Sequence, residues 1–235
     1  MSNDTDFEAK MTSQHSDSSS DIPDELRIPL LEAALPHVPF DGWSDRTLTH
    51  AAKDLDIDPG LGKLAFPGGA SDMIDLLASQ QDQKMRDACS EKTMAALKIR
   101  EKITRLVRTR IEAEEDIREA TRRAVTYLAL PSHGATGLKI LYRTVDAMWK
   151  TIHDPSTDFN FYTKRMTLSA VYTSTLLYWL NDESEDYKET WDFLDRRINN
   201  VMQFEKSKAR IKEQAANMTA NCPDIWKKIS NFRYP

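Results

Sequence analysis

Glycine is scarce in this chain, with 7 among 235 residues. That shortage, together with long charged and apolar runs at helical period, points to an all-α chain. Cysteine is scarcer, with 2. Cys89 and Cys222 lie far apart and form no CxxC pair, so they read as free thiols in a reducing compartment. No run of 18 apolar residues occurs, which excludes a transmembrane helix. Residues 1–22 have neither an apolar signal core nor an Arg-rich, acid-poor leader: Asp4, Asp6, Glu8, Asp17 and Asp21 face Lys10 alone. A disordered Ser/Asp-rich tail without a transit peptide is the expectation there. A net charge of -5 gives no global attraction for nucleic acid.

Catalytic signatures are also missing. No histidine has Glu three residues before it, so the Glu-x-x-His pair of helical di-iron sites is absent. His-Glu-x-x-His, Gly-x-Ser-x-Gly, a P-loop and the dinucleotide glycine fingerprint are absent too. His37, His50, His133 and His153 are scattered and read as structural or surface residues. The expectation is a non-enzyme with no catalytic residue, metal or cofactor.

What the chain has is apolar mass, 40% hydrophobic against 29% charged, enough for a soluble core. Order is expected from about Pro23. Leu26, Leu30, Leu31, Ala34, Leu35 and Val38 recur at helical spacing, with Pro29 denting or starting the helix and Pro36 ending it. Ser44 should cap a short helix burying Leu48, Ala51, Ala52 and Leu55. A turn from Asp56 to Gly60 leads to a third helix with Leu61, Leu64 and Phe66, and Ser71 should cap a fourth through Met73, Ile74, Leu76 and Leu77. Lys92 to Arg110 reads as a basic helix with an apolar stripe of Ile99, Ile103, Leu106 or Val107, then Arg110 or Ile111. Its charges are either a solvated face or a surface for anionic headgroups or an acidic partner. Glu114 to Leu130 follows, then Gly134 to Lys150, burying Leu138, Leu141, Val145, Met148 and Trp149.

The stretch from Asp154 to Arg165 stands out. A turn at Asp154-Pro155 precedes candidate caps Ser156, Thr157 and Asp158, then Phe159, Phe161 and Tyr162 meet Lys164 and Arg165. The helix from Met166 to Leu180 is apolar around most of its circumference and should sit inside a bundle. Another runs from Glu185 to about Gln214, and Pro223 isolates a last segment with Trp226, Lys227, Lys228 and Phe232. Met and aromatic residues mark three consecutive helices: Leu141, Val145 and Trp149; Met166, Val171, Tyr172, Leu176 and Trp179; Trp191, Leu194, Ile198 and Met202. Such stripes form either an ordinary core or the wall of a lipid cavity.

The three short N-terminal helices resemble the helix-turn-helix head of the TetR regulators, in the aromatic after Gly42, the Ala51-Ala52 pair and Phe66-Pro67. From Asp41 to Lys84, however, eight acids stand against Arg46, Lys53, Lys63 and Lys84. A DNA-binding head needs the opposite sign, so a degenerate head kept as scaffold is expected. The division expected is a tail over 1–22, a head over 23–89, a bundle over 90–213 and a C-terminal tail over 214–235.

Asp146-Ala-Met-Trp149, Ser156-Thr-Asp-Phe-Asn-Phe-Tyr-Thr-Lys-Arg165, Tyr172 and Thr190-Trp-Asp-Phe-Leu-Asp-Arg-Arg-Ile198 carry a further resemblance. His37-Val-Pro-Phe-Asp-Gly-Trp43 and Phe66-Pro-Gly-Gly69 fit it upstream. Over roughly residues 24 to 210 the chain resembles the TetR-like accessory protein family of ubiquinone (coenzyme Q) biosynthesis. The resemblance implies a non-enzymatic isoprenoid-lipid-binding protein, homodimeric and peripheral to a membrane, with the stripe residues above lining the lipid site. It implies presentation of demethoxyubiquinone to its di-iron hydroxylase through Met148, Phe161, Tyr162 and Arg165. The family usually has Trp where this chain has Phe161. It implies membrane contact after the last bundle helix, here Trp226, Lys227, Lys228 and Phe232, in a segment that departs from the family and contains Pro223. The expected place is the bacterial cytoplasm beside the inner membrane, or the mitochondrial matrix side in a eukaryote. A ligand-responsive TetR-type DNA-binding regulator is the alternative.

Overall fold

The structure, a computed structural model, describes residues 21–157 and 159–221. Eleven helices occupy them: α1 Asp21–Ala34, α2 Val38–Asp41, α3 Asp45–Asp54, α4 Pro59–Ala65, α5 Ala70–Ala88, α6 Glu91–Met94, α7 Ile99–Glu112, α8 Arg118–Leu128, α9 Gly134–Thr151, α10 Phe159–Trp179 and α11 Lys188–Asn221. Short 3-10 turns at Glu115–Ile117 and Glu185–Tyr187 precede α8 and α11. No strand occurs among the described residues, and the all-α expectation holds.

Local chemistry sets the head. Pro29 lies inside α1, which runs through it. Ser44 caps α3, accepting from the Thr47 N–H at 3.3 Å. Asp58 caps α4, accepting from Gly60 N–H at 2.7 Å, with Pro59 at the first helical position, where no N–H is needed. The cap of α5 is Gly69, at φ 58°, rather than Ser71; Ser71 lies inside the helix and its hydroxyl meets the Tyr127 hydroxyl at 3.2 Å.

Leu30, Leu31, Val38, Leu48, Ala51, Ala52, Phe66 and Met73 form the head's core, and Ala120, Ala124 and Ile140 from α8 and α9 join it. The indole N–H of Trp43 donates to the Ala120 carbonyl at 2.9 Å, and Arg123 donates to the Pro39 carbonyl at 2.6 Å. The core therefore continues past the boundary expected at residues 89 and 90. The chain forms two compact units, one ending at Ser169 and the other beginning at Ala170, within α10.

Several faces depart from expectation. Leu55, Leu61, Leu64 and Leu138 are exposed. On α4 the buried positions are Gly62 and Ala65, because a side chain at Gly62 would already touch Ala52 and Leu48 at 3.6–3.7 Å. The leucines consequently turn outward. The basic stretch splits into α6 and α7, the latter started by the Lys98 N–H donating to Glu101 at 2.8 Å. Ile99 is exposed, whereas Ile103, Leu106, Val107 and Ile111 are buried.

Arg110 is buried with them. Its Nε donates to Asp82 of α5 at 2.7 Å, and it also pairs with Glu114. Asp82 accepts from the Thr144 hydroxyl of α9 at 2.9 Å, and Arg143 binds Asp75 at 2.5 Å. The Asp82, Arg110, Glu114 and Thr144 set joins α5, α7 and α9 in the interior of the first unit, and the part-exposed Arg143–Asp75 pair ties α9 to α5 nearer the surface. Cys89, buried at the end of α5, is a free thiol. Of the tails expected over 1–22 and 214–235, residues 21–22 belong to α1 and 214–221 to α11; residues 1–20 and 222–235, with Cys222, lie outside the described residues.

Candidate functional site

The turn from α9 into α10 gathers the chemistry of the Asp154–Arg165 stretch. His153 takes a positive φ of 53°, and the Asp154 N–H returns to the Trp149 carbonyl at 3.2 Å. Asp154 Oδ1 accepts from Lys164 Nζ at 2.6 Å and from the Ser156 hydroxyl at 3.2 Å. The ammonium also donates to Ser156 Oγ at 2.6 Å and stands 5.2 Å from the centre of the Trp149 ring. One residue on, Arg165 Nε donates to Asp146 Oδ1 at 2.7 Å. Lys150 pairs with the other oxygen of Asp146 at 2.8 Å. Burial pushes the Asp146 carboxyl up, but hydrogen bonds from Lys150 and Arg165 outweigh it and hold the group below its ordinary range.

Both cations of the motif thus clasp α9 to the start of α10. Arg165 is 4% exposed and Met148 0%. This corrects the expected partner surface: neither side chain is at a surface, Arg165 because its charge is satisfied by Asp146 and Met148 because it sits on the inner stripe of α9 beside Thr144 and Val145. Phe161 is half-buried beneath the Arg165 guanidinium. Tyr162, 64% exposed, and Met166, 75% exposed, form the outward face of this turn of helix. They are four residues apart and so share one side.

The expected lipid-lining residues divide in the same way. In the first unit Val145 and Trp149 are buried and Leu141 is half-buried. In the second unit Val171, Tyr172, Leu176, Trp179, Leu194 and Ile198 are buried. Trp191 is half-buried, its indole N–H donating to the Asp186 carbonyl at 3.0 Å. Met166 and Met202 are exposed and line no interior. Met166 lies nine residues before buried Thr175, about 180° round the helix at 100° per residue. Trp149 is 8% exposed, and no described residue accepts from its Nε1. The caps expected at Ser156 and Thr157 are non-helical turn residues, and Asp158, Trp226, Lys227, Lys228 and Phe232 lie outside the described residues.

Sequence reasoning missed Asp146, Lys150 and Asp154 as the partners that fix the motif. Only the Asp-Pro turn hinted at one of them. In the second unit Asp182 plays a similar part. It accepts from Ser184 N–H and Thr190 N–H, each at 2.8 Å, and from the Thr190 hydroxyl at 2.5 Å. Burial raises its pKa, yet these bonds from Thr190 and Ser184 bring it down to about 2. Nearby Tyr178 stacks on Phe193 at 4.7 Å.

The COQ9 family profile matches residues 134–205, from the start of α9 into α11. The ubiquinone biosynthesis protein COQ9-B, mitochondrial, of Xenopus laevis is 31% identical over 215 residues, 86% of this chain and 72% of that protein. The COQ9 protein of Rattus norvegicus is 30% identical, covering 86% of this chain and 68% of its own, and that of Homo sapiens 29%, covering 80% and 61%. Among solved structures, a TetR transcriptional regulator from Nitrosomonas europaea superposes with a TM-score of 0.62 at 20% identity, over 77% of this chain and 99% of its own. That likeness concerns the fold.

Proposed function

Because this chain belongs to the COQ9 family of ubiquinone biosynthesis proteins, we propose that it is a non-enzymatic accessory protein that binds an isoprenoid lipid and presents demethoxyubiquinone to its di-iron hydroxylase. The role in ubiquinone biosynthesis comes with the family and implies association with other proteins of that pathway; the lipid, the hydroxylase, the homodimer and the peripheral membrane contact are the proposal. The observation that carries it is the exposed Tyr162–Met166 face. It sits on a helix start whose own cations are already paired to Asp146 and Asp154. Recognition there is by flat and flexible apolar groups rather than by charge, the composition of an interface anchor.

Trp149 adds a donor. A buried indole N–H without an acceptor is costly, and the carbonyl of a quinone-type headgroup would satisfy it. The relatives are named mitochondrial, which supports the matrix-side setting and gives no support to a bacterial cytoplasm. The regulator reading is disfavoured by the second short helix of the head's helix-turn-helix pair. Its outward face is Leu61, Lys63 and Leu64, with one cation where phosphate and base contacts need several.

Solvent extraction and mass spectrometry of purified protein should reveal a bound quinone or other polyprenyl lipid. Protein that is lipid-free yet binds duplex DNA with a steep salt dependence would reverse the choice.

A further inference from the structure

Two His-x-x-x-Asp spacings occur in the head, His37-Val-Pro-Phe-Asp41 and His50-Ala-Ala-Lys-Asp54. His50 and Asp54 stand one turn apart on α3, while His37 caps α2 and Asp41 ends it. The fold crosses the two pairs. His37 Nε2 lies 2.6 Å from Asp54 Oδ2, and His50 Nδ1 lies 2.9 Å from Asp41 Oδ2. The imidazole centroids are 5.2 Å apart. Among the described residues, His37, Asp41 and His50 are the one group of three His, Cys, Asp or Glu side chains whose ligand atoms all lie within 4.8 Å of one another.

We propose that this cluster is a binding site for a divalent transition-metal ion of the zinc class. Two imidazoles with one or two carboxylates are borderline-soft ligands that suit zinc, cobalt or nickel, whereas calcium and magnesium take all-oxygen shells. Ligand atoms around tetrahedral zinc lie about 3.3 Å apart, given bonds of about 2.0–2.2 Å. Side-chain rotation closes the present spread to that value. Each N···O hydrogen bond then gives way to two bonds to the ion, and the proton on each ligating nitrogen passes to the other nitrogen of a neutral ring, or to solvent from an imidazolium, so that each ring binds as neutral imidazole.

The surroundings hold the ligands ready. Arg46 Nε binds the other oxygen of Asp41 at 3.2 Å, leaving Oδ2 toward His50. The Asp41 N–H donates to the His37 carbonyl at 2.9 Å, and Pro39 stiffens the segment joining them. Asp54 serves as fourth ligand if His37 binds through Nε2. If His37 binds through Nδ1, Asp54 orients the ring from outside. An ion here ties the α1–α2 junction to α3, so its role is to brace the head. Two of the scattered histidines of the sequence, His37 and His50, are in this respect halves of one site.

The test uses the full chain without a histidine tag, stripped by chelator. Calorimetric titration with zinc chloride should give one ion per chain, and cobalt chloride should develop visible ligand-field absorption. Zinc at roughly 100 times its Kd should raise the Tm by about 5–10 °C, and magnesium chloride should not. His37→Gln with His50→Gln should abolish binding, and Asp54→Asn should weaken it about tenfold or more. Failure of the wild type to bind zinc, or equal affinity in wild type and the double variant, overturns the proposal. If the double variant loses its helical signal, Asp54→Asn decides: unchanged affinity overturns the site.

Discussion

The guanidinium carbon of Arg165 stands 3.3 Å from the centroid of the Phe161 ring, one turn earlier on the same helix. The same guanidinium donates through Nε to Asp146 on α9, so Arg165 belongs to the fold. Removing it leaves Asp146 with Lys150 as its remaining partner among the described residues.

Arg165→Ala and Tyr162→Ala therefore separate. Loss of one member of a nearly buried ion pair costs about 3 kcal/mol, and a chain of this size should lose roughly 6–12 °C in Tm. Tyr162→Ala, at an exposed position, should stay within about 0.5 kcal/mol. Its effect should appear in capture of the hydroxylase, weakened by about 1–2 kcal/mol as for an interface anchor. Calorimetry beside a pull-down reads both. A Tyr162→Ala protein that melts early and binds normally would make Tyr162 a packing residue.

Asp82 and Arg110 offer a second separation. Both side chains are nearly fully buried, and Thr144 and Glu114 complete the set. Asp82→Ala removes one of the two carboxylates facing the buried Arg110 and should cost about 3–5 kcal/mol. The triple change Asp82→Leu, Arg110→Met and Glu114→Leu removes all three charges, leaving no buried carboxylate behind, and should recover at least half of that loss. Urea midpoints of wild type, single and triple variants measure it; equal destabilisation by the single and triple variants would show that the charged set itself is stabilising.

How much of this the sequence foretold follows from the range of each interaction. The helices of the head and α9 to α11 are carried by apolar residues at local spacing, so they were legible. Which side of a helix faces inward was not. On α4 the small Gly62 and Ala65 approach α3 and drive Leu61 and Leu64 outward. On α9 the inner stripe is Ile140, Thr144, Val145 and Met148, and Leu138 is left outside. The family motif was legible as a motif, yet its Arg165 reads as a surface cation until Asp146, 19 residues earlier, is brought beside it. His37 and Asp54 are 17 residues apart, again beyond any local period.

Acid should find Asp182. Its pKa falls from 3.8 to about 2 on folding, so the folded state favours the ionised form. The stabilisation is complete above about pH 5, declines as pH falls through 3.8 and then through about 2, and is gone by about pH 1. Asp182→Asn should remove this part of the pH dependence while leaving that of Asp146, also lowered. Urea unfolding at pH 5 and pH 2 compares the two proteins. Parallel losses in wild type and variant would mean that Thr190 and Ser184 hold Asp182 no better than water does.

Trp149 puts the lipid reading to its sharpest test. Its Nε1 finds no acceptor among the described residues, although the residue is buried. Trp149→Phe deletes that donor and some ring volume. Relief of an unsatisfied N–H is worth about 1–3 kcal/mol and opposes the packing lost with the smaller ring, of similar size for a partial truncation. The Tm should therefore move by only a few degrees. A headgroup carbonyl that accepts from Nε1 contributes about 0.5–1.5 kcal/mol, so bound lipid should fall roughly 2- to 12-fold. The readout is lipid per chain by mass spectrometry on matched preparations. Unchanged occupancy together with unchanged stability would make Trp149 a core residue with an idle donor, and the lipid would have to be held without it.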